Sequence, residues 1–183
     1  YAAAREGREW PGHGHLDLRE AFIRSSNVFF AQIGSQAAAG QFAEWGRRLH
    51  IAEPCVVLEG PNGRLASRAG QGLQPSDPNA GRRAQWAIGQ GNLLVTPLHM
   101  ALLAAAVAHE GLVWKPRLAA DAPTTALGRF FKPETARVLK TLMRDVVRRG
   151  TGRRAAVPAI EVAGKTGTAQ NPRGADHAWF AGF

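Results

Sequence analysis

Several helices followed by one β-hairpin are the fold that the residue pattern predicts. Apolar residues recur at helical spacing in several segments before residue 150. Residues 160–170 and 177–183 instead have the pattern of two strands, with a turn between them. A length of 183 residues suits one domain or a large piece of one. The 45% of apolar residues supply a packed core, which excludes wholesale disorder.

The first helices are predicted on either side of a short polar interruption. Asp17 has the features of a helix start, because Glu20 follows three residues later as in a capping box. Ser25-Ser26-Asn27 then interrupts the apolar run, and residues 28–39 and 40–49 return to helical patterns. The interruption therefore places three short polar side chains between two helices.

A long connection and two more helices follow. Residues from about 54 to 85 are rich in Gly, Pro, Asn and Ser and have no sustained period, so a long loop is expected there. Thr96-Pro97 predicts the start of a nearly all-apolar helix. Lys132-Pro133-Glu134 predicts a similar start for a helix that ends at Gly150. Residues 1–159 are thus expected to form a mainly helical lobe, with a polar, glycine-rich loop over 1–15, and residues 160–183 the hairpin.

Charge and cysteine content limit the possible partners. Lys and Arg number 23 against 14 Asp and Glu, which gives a net charge of +9. The arginines lie in scattered pairs without a block of five or six like charges, so nucleic-acid binding is not predicted; weak attraction to an anionic envelope polymer or to lipid headgroups fits better. Cys55 is the one cysteine, which excludes an internal disulfide framework and a cysteine-rich zinc site. No apolar run reaches the 18 residues of a membrane span.

Two motifs bear on the chemistry. Lys165-Thr166-Gly167-Thr168 lies within the first predicted strand of the hairpin, and Ser25-x-Asn27 lies in the interruption between two helices. Together with Ser-x-x-Lys, these motifs mark penicillin-binding proteins and class A β-lactamases. Each motif alone is a weak indication, because either occurs by chance in many chains. Their order, with about 140 residues between them and a fitting local structure at each, makes the pair far more specific.

Nearly the whole chain resembles a class B penicillin-binding protein, apart from the first ten residues and the stretch from 55 to 80. The resemblance is carried by residues 12–21, Ser25–Phe30, Ile88–Gly91, Val95–Leu98, Val162–Gln170 and His177–Phe183. It implies an α+β fold of the penicillin-binding and serine β-lactamase type, in which a helix-dominated fragment meets an incomplete antiparallel sheet. The site would lie between them, and residues 1–183 would form a single partial transpeptidase domain.

The resemblance also implies an activity. Domains of this kind cross-link peptidoglycan stem peptides by acyl transfer through a serine ester, and they bind β-lactams. Ser25 would relay a proton towards the leaving D-alanine. Asn27 would hold a catalytic lysine and the substrate backbone, and Lys165 would supply a cation and orient Ser25.

Three further residues would bind substrate in this family. Thr166 and Thr168 would offer hydroxyls to the terminal carboxylate, and Gly167 would leave room for a peptide along the strand edge. The backbone N–H of Thr168 would be one donor of the oxyanion hole. No cofactor and no metal are implied. The implied location is the bacterial cell envelope, periplasmic or on the outer face of the inner membrane, with a glycosyltransferase partner and a membrane anchor that this sequence lacks.

One departure from the family concerns the nucleophile, which lies in a Ser-x-x-Lys motif upstream of Ser-x-Asn. None of the serines here, at 25, 26, 35, 67 and 76, is followed by Lys at the third position. We therefore expect a chain that is truncated before and after this region and that is inactive alone. A degenerate homologue without catalysis is the other explanation.

Four alternatives stay open at this stage. The same fold hydrolyses or senses β-lactams in other proteins, and a non-catalytic scaffold that binds the envelope is a third class of function. Ser25 and Asn27 could serve only as helix caps. His13-x-His15 could bind a metal, although two histidines without carboxylates more often belong to a solvated loop. Gly89-Gln90-Gly91 is interpreted as a tight turn beside the site.

Overall fold

The computed structural model describes residues 12–60, 63–73 and 79–183. Its helices are α1 (Leu18–Ile23), α2 (Asn27–Gln36), α3 (Ala39–Arg48), α4 (Ala80–Ala87), α5 (Pro97–Ala108) and α6 (Pro133–Arg149). Its strands form three two-stranded antiparallel sheets, β1 (Val56–Gly60) with β2 (Gly63–Ala66), β3 (Leu112–Trp114) with β4 (Ala126–Arg129), and β5 (Gly164–Ala169) with β6 (His177–Gly182). The predicted dominance of helices and the terminal hairpin are confirmed.

The predicted helix starts follow local capping chemistry. The Asp17 side chain accepts a hydrogen bond of 2.8 Å from the backbone N–H of Glu20 and so caps α1. Thr96 caps α5 through the N–H of His99, and Pro97 is its first residue. These contacts join residues at most three apart, which explains why the sequence alone predicts them.

The loop predicted at about 54–85 needs correction. This stretch contains β1, β2 and most of α4, which begins at Ala80 because the Asn79 side chain accepts a hydrogen bond of 2.9 Å from the N–H of Arg82. The two strands are largely exposed, so neither has one face that must be apolar. Their sequences therefore lack the alternation of apolar and polar residues that predicts a strand. The parts of this prediction at 61–62 and 74–78, and of the predicted loop at 1–11, lie outside the described residues.

The β3–β4 pair between α5 and α6 was not expected from the sequence. Gly111 makes the turn after α5 with φ +89°, and a Cβ at this position would lie 1.9 Å from the carbonyl oxygen of Phe131. Val113 of β3 and Phe130 are fully buried beside Leu102 of α5. Strand pairing here depends on this contact with α5 and not on a local pattern.

The core brings the start of β5 against the helices. Ala163, directly before β5, packs with Val107 of α5 and Met143 of α6, and Phe22 of α1 lies against the same cluster. Burial of these apolar side chains fixes β5 beside the end of α1. The core thereby determines which residues of the first helices face the strand.

Two ion pairs also hold α1 on α6. Arg19 donates two hydrogen bonds to the buried Asp145 carboxylate, with N–O distances of 2.9 and 2.5 Å. Arg149 lies 2.7 Å from Glu20. The residues that follow α1 are therefore held in place from a distant part of the sequence. Within the described ranges, no helix combines the length and the apolar character that crossing a bilayer requires.

Candidate active site

Ser25 lies in the short connection between α1 and α2, in a conformation that serine seldom adopts. Its φ is +55°, in the left-handed region. The backbone is held there because the N–H of Ser25 donates to Phe22 O and that of Ser26 to Ala21 O. A left-handed residue with a side chain costs about 1–2 kcal/mol, and such strain concentrates at functional sites.

The side-chain cap of α2 belongs to Ser26 and not to its neighbours, whereas Ser25 is the left-handed residue that ends α1. The buried Ser26 hydroxyl accepts a hydrogen bond of 3.4 Å from the N–H of Phe29 and caps α2. Asn27 is the first residue of α2, is exposed and lines a cleft. Its amide makes no hydrogen bond to any part of the chain that the structure describes, which leaves it available to a ligand. Neither the Ser25 nor the Asn27 side chain caps α2, although the backbone of Ser25 does end α1.

The two distant motifs meet in this cleft. The Lys165 ammonium donates a hydrogen bond of 2.7 Å to Ser25 Oγ and one of 2.9 Å to the carbonyl oxygen of Thr166. It also lies 5.8 Å from the centre of the Phe22 ring. The structure thus brings Ser25 and Lys165 within hydrogen-bond reach, as the implied orientation of Ser25 by Lys165 requires. Their catalytic roles stay predictions.

The surroundings of Lys165 change its acidity. Burial lowers the pKa of the ammonium from 10.5 to about 8, because the charged form loses contact with water. Below that pH the ammonium is protonated and donates to the two oxygens. Lys165 is therefore a cation near neutral pH that releases its proton more easily than an exposed lysine does.

One edge of β5 faces the cleft. Ala163 and Phe183 exchange two hydrogen bonds of 2.9 Å, and the pairing from Gly164–Gly182 onward is one to one. In an antiparallel ladder alternate residues bond to the partner, so Thr166 and Thr168 direct their backbone N–H and C=O groups away from β6. Among the described residues no strand pairs with this edge; its Thr166 and Thr168 carbonyls accept from Lys165 and Gln90, and its N–H groups face the cleft.

The cleft encloses about 290 Å³. Its lining consists of Phe22, Ser25, Asn27 and Phe30 from the first two helices and their connection, residues 87–90 at the end of α4, and Lys165–Thr168 of β5. The site residues named from the sequence are thus on the same cleft. A larger groove of about 490 Å³ between α1 and α6 carries none of the motif residues. Among the described residues, no three His, Cys, Asp or Glu side chains are arranged to hold a metal ion.

Two residues contact β5 at this site although the sequence does not predict these contacts. Thr151, after α6, shares a hydrogen bond of 2.6 Å between its hydroxyl and that of Thr166. Gln90 bonds to Thr168 and Gln170. The glycines on both sides of Gln90 were a signal for a special backbone position, whereas Thr151 had no signal in its own neighbourhood.

The arrangement combines a polarised hydroxyl, an ammonium, an amide and an open strand edge. An ammonium and threonine hydroxyls that line one cleft suit a carboxylate, and backbone N–H groups at the edge suit a carbonyl oxygen that gains negative charge. A serine hydroxyl 2.7 Å from an ammonium is placed for proton transfer. The cleft therefore offers groups that suit the carboxylate and the carbonyl oxygen of a peptide C-terminus.

Comparison with known proteins supports the same assignment. The family model of the penicillin-binding protein transpeptidase domain matches residues 3–183. The chain is 28% identical to the peptidoglycan D,D-transpeptidase MrdA of Acinetobacter baumannii, across 96% of this chain and 31% of that protein. It is also 28% identical to the peptidoglycan D,D-transpeptidase PbpA of Mycobacterium tuberculosis, across 92% of this chain and 36% of the relative. The chain therefore spans about a third of the length of these relatives.

Solved structures give the same result. A D,D-transpeptidase domain from Eggerthella lenta superposes with a TM-score of 0.76 at 27% identity, across 93% of this chain and 46% of that one. Penicillin-binding protein A of M. tuberculosis superposes with a TM-score of 0.77 at 28% identity, across 92% of this chain and 39% of that one. The resemblance to class B penicillin-binding proteins and the α+β fold are confirmed. The chain belongs to the penicillin-binding protein transpeptidase family.

Proposed function

We propose that residues 1–183 form a single partial D,D-transpeptidase domain of a longer protein that cross-links peptidoglycan stem peptides, and that these residues are inactive alone. The observation that carries this proposal is the 2.7 Å hydrogen bond between Lys165 and Ser25 in a cleft beside the open edge of β5. The family match and the names of the relatives support it. Stem peptides and β-lactams are the proposed ligands, and the cell envelope, outside the inner membrane, is the proposed location.

The proposed reaction is acyl transfer. A serine hydroxyl adds to the carbonyl of the penultimate D-alanine, an ester forms, and the terminal D-alanine leaves. Ser25 passes a proton towards the leaving nitrogen, and Lys165 keeps Ser25 oriented while it offers positive charge to the terminal carboxylate. The amine of a second stem peptide then attacks the ester and releases the serine.

The remaining roles concern binding. Asn27 holds the catalytic lysine of the nucleophile motif and the substrate backbone through its amide. Thr166 and Thr168 bind the terminal carboxylate through their hydroxyls, and Gly167 leaves space for the peptide along the edge of β5. The N–H of Thr168 is one donor to the carbonyl oxygen during the reaction. A glycosyltransferase that supplies glycan strands is the proposed partner.

Labelling with a fluorescent penicillin tests the proposal. No serine of this chain has Lys at the third following position. We therefore expect covalent labelling of the full-length product of the gene that encodes this sequence, loss of labelling in its Lys165→Ala variant, and none on residues 1–183 alone. A full-length protein that takes no label would contradict the transpeptidase function. Label on residues 1–183 would contradict the assignment of the nucleophile outside them. Rapid turnover of penicillin by the full-length protein would instead indicate a hydrolase.

A further inference from the structure

We infer that Gln90 is a positioning residue that holds the edge of β5 in the conformation needed for acylation. Its side-chain Nε2 donates a hydrogen bond of 2.9 Å to the carbonyl oxygen of Thr168. Its Oε1 accepts one of 3.3 Å from the backbone N–H of Gln170. Both partners are outward-facing groups of the edge that borders the cleft. The inference rests on the proposed transpeptidase function.

The backbone beneath Gln90 is fixed to the helices. Gly89 and Gly91 have φ of +69° and +78°, and a Cβ at Gly91 would lie 2.8 Å from Gln85 Oε1. The N–H of Gln90 donates to Gln85 O at 2.9 Å, and Trp86 is buried with its indole N–H on Asn92. Gln90 therefore extends from a rigid turn at the end of α4.

The two bonds made by Gln90 replace a neighbouring strand. One residue of a parallel strand opposite Ala169 would bond to the same C=O and N–H groups. Gln90 and the Lys165–Ser25 contact thus connect β5 to the helices at two points, and Thr166 to Thr168 lie between them. The amide of Gln90 fixes the carbonyl of Thr168, and the N–H of that same residue is the proposed donor to the reacting carbonyl.

The amide is chemically specific in this position because it is both a donor and an acceptor. Asparagine has the same groups on a side chain that is one methylene shorter, so it would not reach both partners. An ionised glutamate accepts from Gln170 but turns a negative oxygen towards Thr168 O. A protonated glutamate carries both a donor and an acceptor, so it restores the original pair of bonds. Glutamate at position 90 therefore converts the contact into one that depends on pH.

Acylation kinetics of the full-length protein with a fluorescent penicillin test this inference. Gln90→Ala and Gln90→Asn should lower the acylation rate constant about tenfold, while the dissociation constant of the non-covalent complex changes less than about threefold. Gln41→Ala, at an exposed site on α3, is the control and should match the wild type. Thermal unfolding of each variant checks that the fold is kept.

The pH dependence of Gln90→Glu separates positioning from a general structural role. Its acylation rate relative to the wild type should rise several-fold as the pH falls from 7.5 to 4.5, through the range in which the carboxylate gains a proton. Lys165 lines the same cleft and His177 lies opposite Ala169 on β6. Lys165 and His177 are present in the wild type and in Gln90→Ala as well. Measuring the acylation rates of these two proteins at each pH therefore separates the titration of Lys165 and His177 from that of the carboxylate introduced by Gln90→Glu.

Three results would overturn the inference. They are acylation rate constants equal to the wild type in Gln90→Ala, an effect on the dissociation constant alone, and a Gln90→Glu defect that does not change with pH. A wild type that takes no label at all is a different result, because it overturns the proposed function and with it this inference. A labelled wild type with unchanged Gln90 variants overturns only the role of Gln90.

Discussion

Lys165 illustrates how single residues gain their chemistry from burial. An exposed lysine has a pKa near 10.4, far above the working range of an enzyme at neutral pH. Burial beside Phe22 lowers the pKa of Lys165 to about 8. Its ammonium donates a hydrogen bond to Ser25 Oγ, so the orientation of the serine hydroxyl depends on whether the lysine is protonated.

The first prediction concerns the pH dependence of acylation. Lys165 is protonated below its pKa of about 8 and neutral above it, so the full-length protein should lose its cation and acylate more slowly as the pH rises from 7 to 9. Lys165→Arg keeps its charge over this range and should show no alkaline decline, even though its overall rate is lower. Labelling rates at a series of pH values measure this, and an alkaline decline that persists in Lys165→Arg would contradict it.

The second prediction concerns stability. The unfolded chain retains the Lys165 proton up to about pH 10.5, whereas the folded chain releases it near pH 8. The unfolded state therefore binds more protons between these values, and the contribution of Lys165 to the free energy of unfolding rises with pH across this window. Urea unfolding of the full-length wild type and of Lys165→Met at pH 7.5, 9 and 10.5 measures the difference. A difference between the two proteins that is constant across the series would refute it.

At the scale of elements, the contact between α2 and α4 connects two sides of the cleft. Asn27 begins α2, and Gln90 follows α4. The helices approach closely at Gly34, where a Cβ would lie 2.3 Å from Ala87 Cβ and 2.8 Å from Arg83 O. The distance between these helices therefore depends on the absence of a side chain at one position.

The third prediction uses this contact. Gly34→Ala should lower the free energy of unfolding by about 1–3 kcal/mol, because the helices must move apart. It should also slow acylation, since Asn27 and Gln90 move with their helices. Gly40→Ala is the matched control, because Gly40 lies exposed on α3 and an added Cβ there would have no atom within 4 Å. This variant should raise the free energy of unfolding by up to about 1 kcal/mol. Chemical unfolding of both full-length variants measures this, and equal effects would contradict the role of the close contact.

At the scale of the whole molecule, residues far apart in sequence hold the site together. Asp145 on α6 is buried and accepts both hydrogen bonds from Arg19, 126 residues away on α1. Ser25 follows α1 by two residues. The docking of α1 on α6 therefore sets where Ser25 lies relative to β5, which packs on α6 through Ala163 and Met143.

The fourth prediction follows from this ion pair. Asp145→Ala leaves Arg19 without its partner and should lower the free energy of unfolding by about 1.5–3 kcal/mol. The rate of labelling by penicillin should fall as well, because α1 is less firmly held. Arg137→Ala on the same helix removes an exposed pair with Glu110 and should change stability by less than about 1 kcal/mol. Denaturation curves of the two variants measure this difference. A larger loss of unfolding free energy in Arg137→Ala than in Asp145→Ala would contradict the role of Asp145 in holding α1 on α6.

Helix starts and the residue types of the site follow from the order of amino acids alone. Asp17, Thr96 and Pro133 mark helix starts because capping acts within one turn. The Ser25-x-Asn27 and Lys165-Thr166-Gly167-Thr168 motifs can be found in the sequence, and they indicate penicillin-binding proteins and related β-lactamases. Each of these features depends on neighbours a few positions away.

How these parts meet depends instead on contacts between distant segments of the folded chain. The left-handed φ of Ser25, the lowered pKa of Lys165 and the two bonds of Gln90 each depend on groups from another segment of the chain. The exposed strands β1 and β2 were missed for the same reason, since strand pairing and burial are set by contacts between distant segments. A sequence pattern depends on the neighbours of a residue along the chain. The chemistry of this cleft depends on contacts between residues that are distant in sequence and that folding brings together.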